Sequence, residues 1–362
     1  MQTTTFNNAT IVVVGGAGFV GSNLVHQLLN ESPKRIVVID NLLSSDTANI
    51  PADPRVSFVF GSVTEGKTLA QIPQDVEYVF HLACYHGNQS SIADPFADHD
   101  NNTYTSLCLF DHLKGATSLK KVVYAAAACA VAEKTYDTPT ATTEDQPISL
   151  FHDSPYSISK LIGELYGNYY QLRYKLPFVR ARFSNVFGPR EILGAGRWRG
   201  TVHTVWRNVT PTFIWKALHH EALPLDNGGN ASRDFIFVED MARGLMACAL
   251  RGNPGEAYNL ATGHETSILE LATWINELAG NPTPADIKPA RDWDRSGKRF
   301  ASTEKARTQL GFETQVSVRE GLEKTVAWTK ANRELIAHTM QQHAKMMEQQ
   351  DAPLNSAYLP RQ

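Results

Sequence analysis

Cysteine is scarce in this chain. There are four in 362 residues, Cys84, Cys108, Cys129 and Cys248, and none stands at metal-knuckle spacing, which excludes a disulfide scaffold and a thiolate metal site. They read as free thiols of a reducing cytoplasm. Long apolar runs are also missing. The best of them, "TIVVVGGAGFVG", falls far short of a membrane span. The opening "MQTTTFNNAT" has no basic region before an apolar core, so no secretory signal is expected. Neither sign of charge dominates: 34 Lys+Arg against 37 Asp+Glu give a formal net charge of −3. No nucleic-acid or membrane partner is therefore expected. One further lack is local. In "VVYAAAACAVAEK" no hydroxyl and no acid stand between Ala125 and Ala132.

What is present is an alternation. "TIVVVGG", "RIVVID", "VSFVFG", "VEYVFHLAC", "KVVYA" and "PFVRARFSNVFG" read as strands. Helical patterns lie between them, at "VGSNLVHQLLNES", around "ADHDNNTYTSLCLFDHLKGA" and at "PYSISKLIGELYGNYYQLRY". Strands alternating with helices imply parallel pairing and a doubly wound α/β sheet. After Gly188 the character changes. "PREILGAGRWRGTVHTVWRN" has no period and is rich in Gly, Arg and Trp, as a functional loop would be. "TPTFIWKAL" predicts a short helix. "RDFIFVEDMARGLMACAL" predicts a strand and helix that rejoin the sheet, and "EAYNLATG" another strand. The expected division is a dinucleotide-binding domain over 1–185, with 232–262 rejoining it. A smaller C-terminal α/β domain for substrate covers 186–231 and 263–335, and a helical extension and tail cover 336–362.

"VVVGGAGFVGSNLV" places Gly15, Gly18 and Gly21 three apart between a strand and a helix. The first permits the tight turn, the second lets backbone approach a pyrophosphate, and the third packs helix on strand. Phe19 and Val20 open the helix whose free N–H groups suit a diphosphate. Roughly 20 residues on, Asp40 ends the next strand, where a carboxylate accepts from an adenosine ribose and repels a 2′-phosphate. A Rossmann-type sheet binding NAD rather than NADP follows. His81 in "HLA" reads as a structural histidine.

In "SPYSISK", Tyr156 and Lys160 stand at i and i+4 and share a helix face. A free tyrosine, with a pKa near ~10, is a poor base at neutral pH. A lysine ammonium beside it favours tyrosinate, which can take a proton from a substrate hydroxyl while NAD⁺ takes hydride from the same carbon.

These stretches, with "SSIADP", Asn102, "RFSNVFGP", "SRDFIFVEDMA" and "RDWD" in that order, resemble the extended short-chain dehydrogenase/reductase superfamily. The nucleotide-sugar epimerases and dehydratases are most similar, over about residues 9–330. The resemblance implies that Tyr156 and Lys160 are the catalytic pair. It implies NAD contacts at Asp40, Asn41, Ser62, Val63, Leu82, Ala83 and Asn102. It implies substrate contacts at Ser91, Asn185, Thr212, Phe213, Arg233, Arg291 and Asp294. It also implies a homodimer formed through helices near Asp100–Lys114 and Ser157–Tyr174.

The chain departs from the pattern in places. Ser62 stands where the family has Asp, and Thr105-Ser106 replaces a Gly-Thr pair. The loop from Glu191 to Asn208 is longer than usual. The alanine run lies where the family has its catalytic Ser or Thr, a donor whose removal typically costs a factor of about 10² to 10³. Cys129, a backbone N–H, a water, or a hydroxyl from Ser90, Ser91 or Thr142 remain as substitutes, as does altered chemistry. Arg197 and Arg199 in "GRWRG" suit an anion and Trp198 a sugar ring, so an acidic sugar such as a uronic acid is expected. With no acid in the alanine run, a dehydratase is disfavoured. The first reading is C4 epimerisation of a UDP-sugar through a 4-keto intermediate. A silent NAD- and sugar-nucleotide-binding protein, or a related activity on an oxidised nucleotide sugar, stays open beside it.

Overall fold

The first strand shows how the sheet is buried. Ile11 and Val13 pack on one face, with Leu24, Met241 and Leu245. Val12 and Val14 pack on the other, with Phe110, Tyr124 and Phe178. Side chains of a strand alternate between faces, so a run of β-branched residues covers both. Each fully buried valine contributes about 1.5–3 kcal/mol.

The computed structural model describes residues 5–132, 135–192, 208–290 and 297–350. Its strands are β1 (Thr10–Val14), β2 (Arg35–Asp40), β3 (Val56–Phe60), β4 (Tyr78–His81), β5 (Lys121–Ala127), β6 (Phe178–Phe183), β7 (Asn185–Phe187), β8 (Pro224–Asp226), β9 (Ser232–Arg233), β10 (Phe235–Phe237), β11 (Ala257–Leu260), β12 (Thr266–Ser267) and β13 (Asp286–Lys288). Its helices are α1 (Phe19–Leu29), α2 (Gly66–Leu69), α3 (Asn88–Ala93), α4 (Pro95–Asp98), α5 (Thr105–Leu113), α6 (Pro155–Tyr174), α7 (Val209–Leu218), α8 (Val238–Arg251), α9 (Ile268–Ala279), α10 (Glu304–Leu310), α11 (Val318–Ala331) and α12 (Arg333–Gln350). Seven strands form one parallel sheet in the order β11-β6-β5-β4-β1-β2-β3. The expected α/β, doubly wound Rossmann-type architecture is borne out. β3 is its edge, with Phe60 68% exposed.

Three elements differ from the sequence reading. "PFVRARFSNVFG" is not one strand. It breaks at Ser184, whose N–H still donates to Leu260 O at 3.2 Å. β6 stays in the main sheet, while β7 leaves it to pair with β10. "RDFIFV" therefore does not rejoin the main sheet: β11 does. Around β7 and β10 a separate core gathers Phe187, Phe213, Ile214, Phe235 and Leu271.

The long helix expected near residues 97–116 is broken too. His99–Tyr104 forms a wider turn with i→i+5 bonding before α5 begins, a geometry frequent beside functional sites.

α6 lies unusually close to the sheet. A Cβ on Gly163 would run into the Tyr124 hydroxyl, and one on Gly167 into the Phe178 ring. Two glycines four apart let the helix approach. Ser154 caps it by accepting from Ser157 N, and Pro155 opens it.

Candidate active site

The carboxyl ends of β1, β2, β4 and β5 open into a cleft of about 710 Å³. At its floor the chain turns from β1 into α1. Gly15 has φ +84, and a Cβ there would lie 2.5 Å from Ala83 N. A Cβ on Gly21 would meet Gly15 O, so that glycine packs helix on turn. Gly18 differs: a Cβ there would touch only Gly15 O, at 3.2 Å, leaving its other side open to the cleft. Gly18 caps α1 without any side-chain bond, and Phe19 and Val20 follow it into the cleft wall.

Asp40 is buried at the mouth. One carboxylate oxygen accepts from Leu42 N and Ser45 Oγ, each at 2.9 Å, and the other from Ala17 N at 3.0 Å. Burial pushes its carboxyl above the ordinary value, against those hydrogen bonds. An open glycine, an uncapped helix N-terminus and a carboxylate lining the same cleft fit the diphosphate and ribose of NAD. Asn41, Ser62, Val63, Leu82 and Ala83 line the same cleft.

Tyr156 and Lys160 line the same cleft with Ala125 to Ala128. Lys160 Nζ donates to Ala125 O at 2.9 Å and lies 5.9 Å from the centre of the Tyr156 ring. β5 runs on through Ala127 before the turn at Ala128–Ala130. The alanines thus occupy the cleft wall itself and offer only backbone there. The Cys129 side chain lies outside the described residues.

Of the expected substrate residues, Asn185, Thr212, Phe213 and Arg233 line the cleft. Arg233 donates to Ser232 O and to Gly297 O. Arg197, Trp198, Arg199, Arg291 and Asp294 lie outside the described residues. Two expected contacts are not brought to the cleft. Ser91 is fully buried; its hydroxyl donates to Asn88 O at 2.7 Å and accepts from Tyr156 N at 3.0 Å. It seats α6 and is not available as the missing hydroxyl. Asn102 is 2% exposed, and its amide is spent on protein: it accepts from Tyr85 N at 2.7 Å and donates to Tyr85 O, Asp98 and Ser159. It holds the chain beside the cleft. Ser90 and Thr142 do line the cleft.

His81 is buried against Ser106 Oγ, 3.0 Å from Nε2. Ser106 gives its own proton to Asn102 O, so Nε2 carries the hydrogen between them. Burial first, and then Lys160, lowers its pKa to about 3.

Three cleft residues had no signal in the sequence. His86 Nδ1 lies 3.3 Å from the Tyr156 hydroxyl. Asn208 Oδ1 lies 3.1 Å from His86 Nε2. The amide N and O of Gln89 are buried and have no partner among the described residues. Only tertiary packing brings His86 to Tyr156 and Asn208 to His86.

The family model described as "NAD dependent epimerase/dehydratase family" matches residues 11–261. The chain belongs to this family. A putative UDP-glucose 4-epimerase of Methanocaldococcus jannaschii is 30% identical over 324 residues, 89% of this chain and 99% of the relative. The fold of the Bordetella bronchiseptica enzyme WbmF, solved in complex with NAD⁺ and UDP, superposes with a TM-score of 0.83 at 54% identity, covering 95% of this chain and 98% of WbmF. A UDP-N-acetylglucosamine 4-epimerase from Methanobrevibacter ruminantium, solved with UDP-N-acetylmuramic acid, gives 0.80 at 27% identity, covering 90% and 99%. Membership of an NAD-dependent family agrees with the open Gly18 and the carboxylate of Asp40. No described helix is long and apolar enough to cross a membrane.

Proposed function

We propose that the protein is an NAD-dependent epimerase that inverts C4 of a UDP-sugar; Arg197 and Arg199 in the sequence suit one with an acidic group, such as a uronic acid. The observation that carries this reading is the sharing of one cleft. Tyr156 and Lys160 face the same cavity as Gly18 and Asp40, so a reacting carbon between them meets both a base and the dinucleotide. NAD held at Gly18 and Asp40 would supply a reversible hydride acceptor at that carbon. Tyr156 Oη takes the proton of the reacting hydroxyl, and Lys160, anchored on Ala125 O, holds positive charge beside it. Asp40 accepts from the adenosine ribose. On the substrate side Asn185 and Arg233 face the diphosphate, while Thr212 and Phe213 flank the base. Arg291 and Asp294 are assigned there on resemblance alone, and Arg199 because a guanidinium in "GRWRG" suits an anion.

β5 and the turn after it carry no acid from Ala125 to Ala132, and elimination of water needs one. That supports epimerisation over dehydration. The test is absorbance of NADH on adding substrate: a UDP-uronic acid raises a transient signal in the wild type and none in Tyr156→Phe.

A homodimer goes with this reading. Ile158, Leu165, Tyr169 and Leu172 are exposed on one face of α6, at 44, 58, 52 and 70%. α5 lies alongside, tied by Tyr170 Oη donating to Asp111 at 2.9 Å. Cys84, Cys108 and Cys248 carry no disulfide, which suits a reducing cytoplasm.

A further inference from the structure

The alanine wall leaves Tyr156 without the usual hydroxyl, yet the tyrosine has a titratable neighbour. His86 meets it edge to face, with ring centres 5.4 Å apart and planes at 81°, and Nδ1 lies 3.3 Å from the phenol oxygen. The histidine is held from behind. Asn208 bonds Nε2, and its own amide nitrogen donates to the carboxylate of Glu191, which is 8% exposed. The peptide of Tyr85, one residue before His86, is gripped on both sides by Asn102. Ser91 and Asn88, just beyond it, bond Tyr156 N and Ser154 Oγ. Histidine and tyrosine are thus fixed to one another through their backbones.

The chain of partners sets the tautomer. Asn208 turns its NH₂ to Glu191 and its oxygen to His86. That oxygen only accepts, so Nε2 carries the hydrogen. In the neutral ring Nδ1 is then a bare acceptor facing the Tyr156 O–H.

We propose that His86 holds the proton of Tyr156 during turnover, replacing the hydroxyl absent from positions 126–128. The inference rests on the epimerase reading. The substrate O–H bond breaks and its proton goes to Tyr156 Oη. The proton already on Oη passes to His86 Nδ1, giving an imidazolium. The hydrogen on carbon leaves as hydride to an oxidised nicotinamide, and a ketone remains. Reversal returns each in turn, so nothing is consumed. Asn208 and Glu191 position the ring.

The test uses the NAD-loaded protein. His86→Gln and His86→Phe are expected to lower kcat by roughly 10² to 10⁴, the usual range for positioned proton transfer, with KM within about threefold. Asn208→Ala is expected to lower kcat by about tenfold, the worth of one hydrogen bond. ¹⁵N NMR of histidine-labelled protein, with the His86 signal assigned by its loss in His86→Phe, is expected to show the Nε2–H tautomer. Wild-type kcat in His86→Gln, or an Nδ1–H tautomer, overturns the proposal. The NMR result needs no turnover. If no sugar nucleotide reacts but the Nε2–H tautomer is found, the epimerase reading has failed and the hydrogen-bond chain has not.

Discussion

Lys160 Nζ reaches Ala125 O at 2.9 Å because Gly163, one turn further along α6, has no side chain to meet Tyr124. Lys160 is placed by the absence of an atom. Gly163→Ala puts a methyl into the Tyr124 hydroxyl and must move helix or strand. Overpacking of this kind typically costs about 1–3 kcal/mol. The expected outcome is a Tm lower by several degrees together with loss of turnover. Denaturation followed by circular dichroism checks the first, and the epimerase assay the second.

Asp40 is the proposed determinant of the choice of dinucleotide. Its carboxylate accepts from Ala17, Leu42 and Ser45 and is buried at the cleft mouth. Asp40→Asn is expected to weaken NAD binding by about tenfold and to narrow the preference over NADP, since a charge that repels a 2′-phosphate is gone. Calorimetric titration with both dinucleotides reads this directly.

His81 makes stability depend on pH. Burial depresses its folded pKa to about 3 from an ordinary 6.5. Between those values the unfolded chain binds a proton that the folded chain refuses, so stability falls as pH drops through that window. Thermal denaturation from pH 7.5 to 4.5 is expected to show a falling Tm. The fall should be shallower in His81→Gln than in the wild type, measured from each protein's own starting value.

The apolar stripe of α6 has its own consequence. Leu165→Asp places a charge among Ile158, Tyr169 and Leu172, all exposed in the single chain. Light scattering is expected to report a dimer for the wild type and a monomer for the variant. Two equal masses at the monomer value would leave that stripe without the assigned partner.

The cofactor end of the cleft was legible because its chemistry is local. A turn between strand and helix needs Gly15, Gly18 and Gly21 at fixed spacing, and an acceptor at a strand end needs Asp40. Tyr156 and Lys160 were legible for a similar reason, since one helical turn sets their relation. The long-range parts were not. His86 meets a tyrosine 70 residues away from a segment, "YHGNQ", with no period to give it away. Ser91 and Asn102 were expected to touch ligands, but their polar atoms are taken up in seating α6 and Tyr85. A residue type alone does not say whether its hydrogen bonds go to substrate or to scaffold. The break at Ser184 was hidden because β6 and β7 together read as one β-branched and aromatic run, and only their partners, β11 and β10, differ.

The central claim is that Tyr156, in a cleft walled by alanine, still supports C4 inversion. The most direct test is NMR of the products after purified protein is incubated with UDP-glucose, UDP-N-acetylglucosamine and the corresponding uronic acids. A new C4 epimer from a uronic acid, absent with Tyr156→Phe, is the predicted result. UDP-sugars that bind but emerge unchanged from the wild type would contradict it.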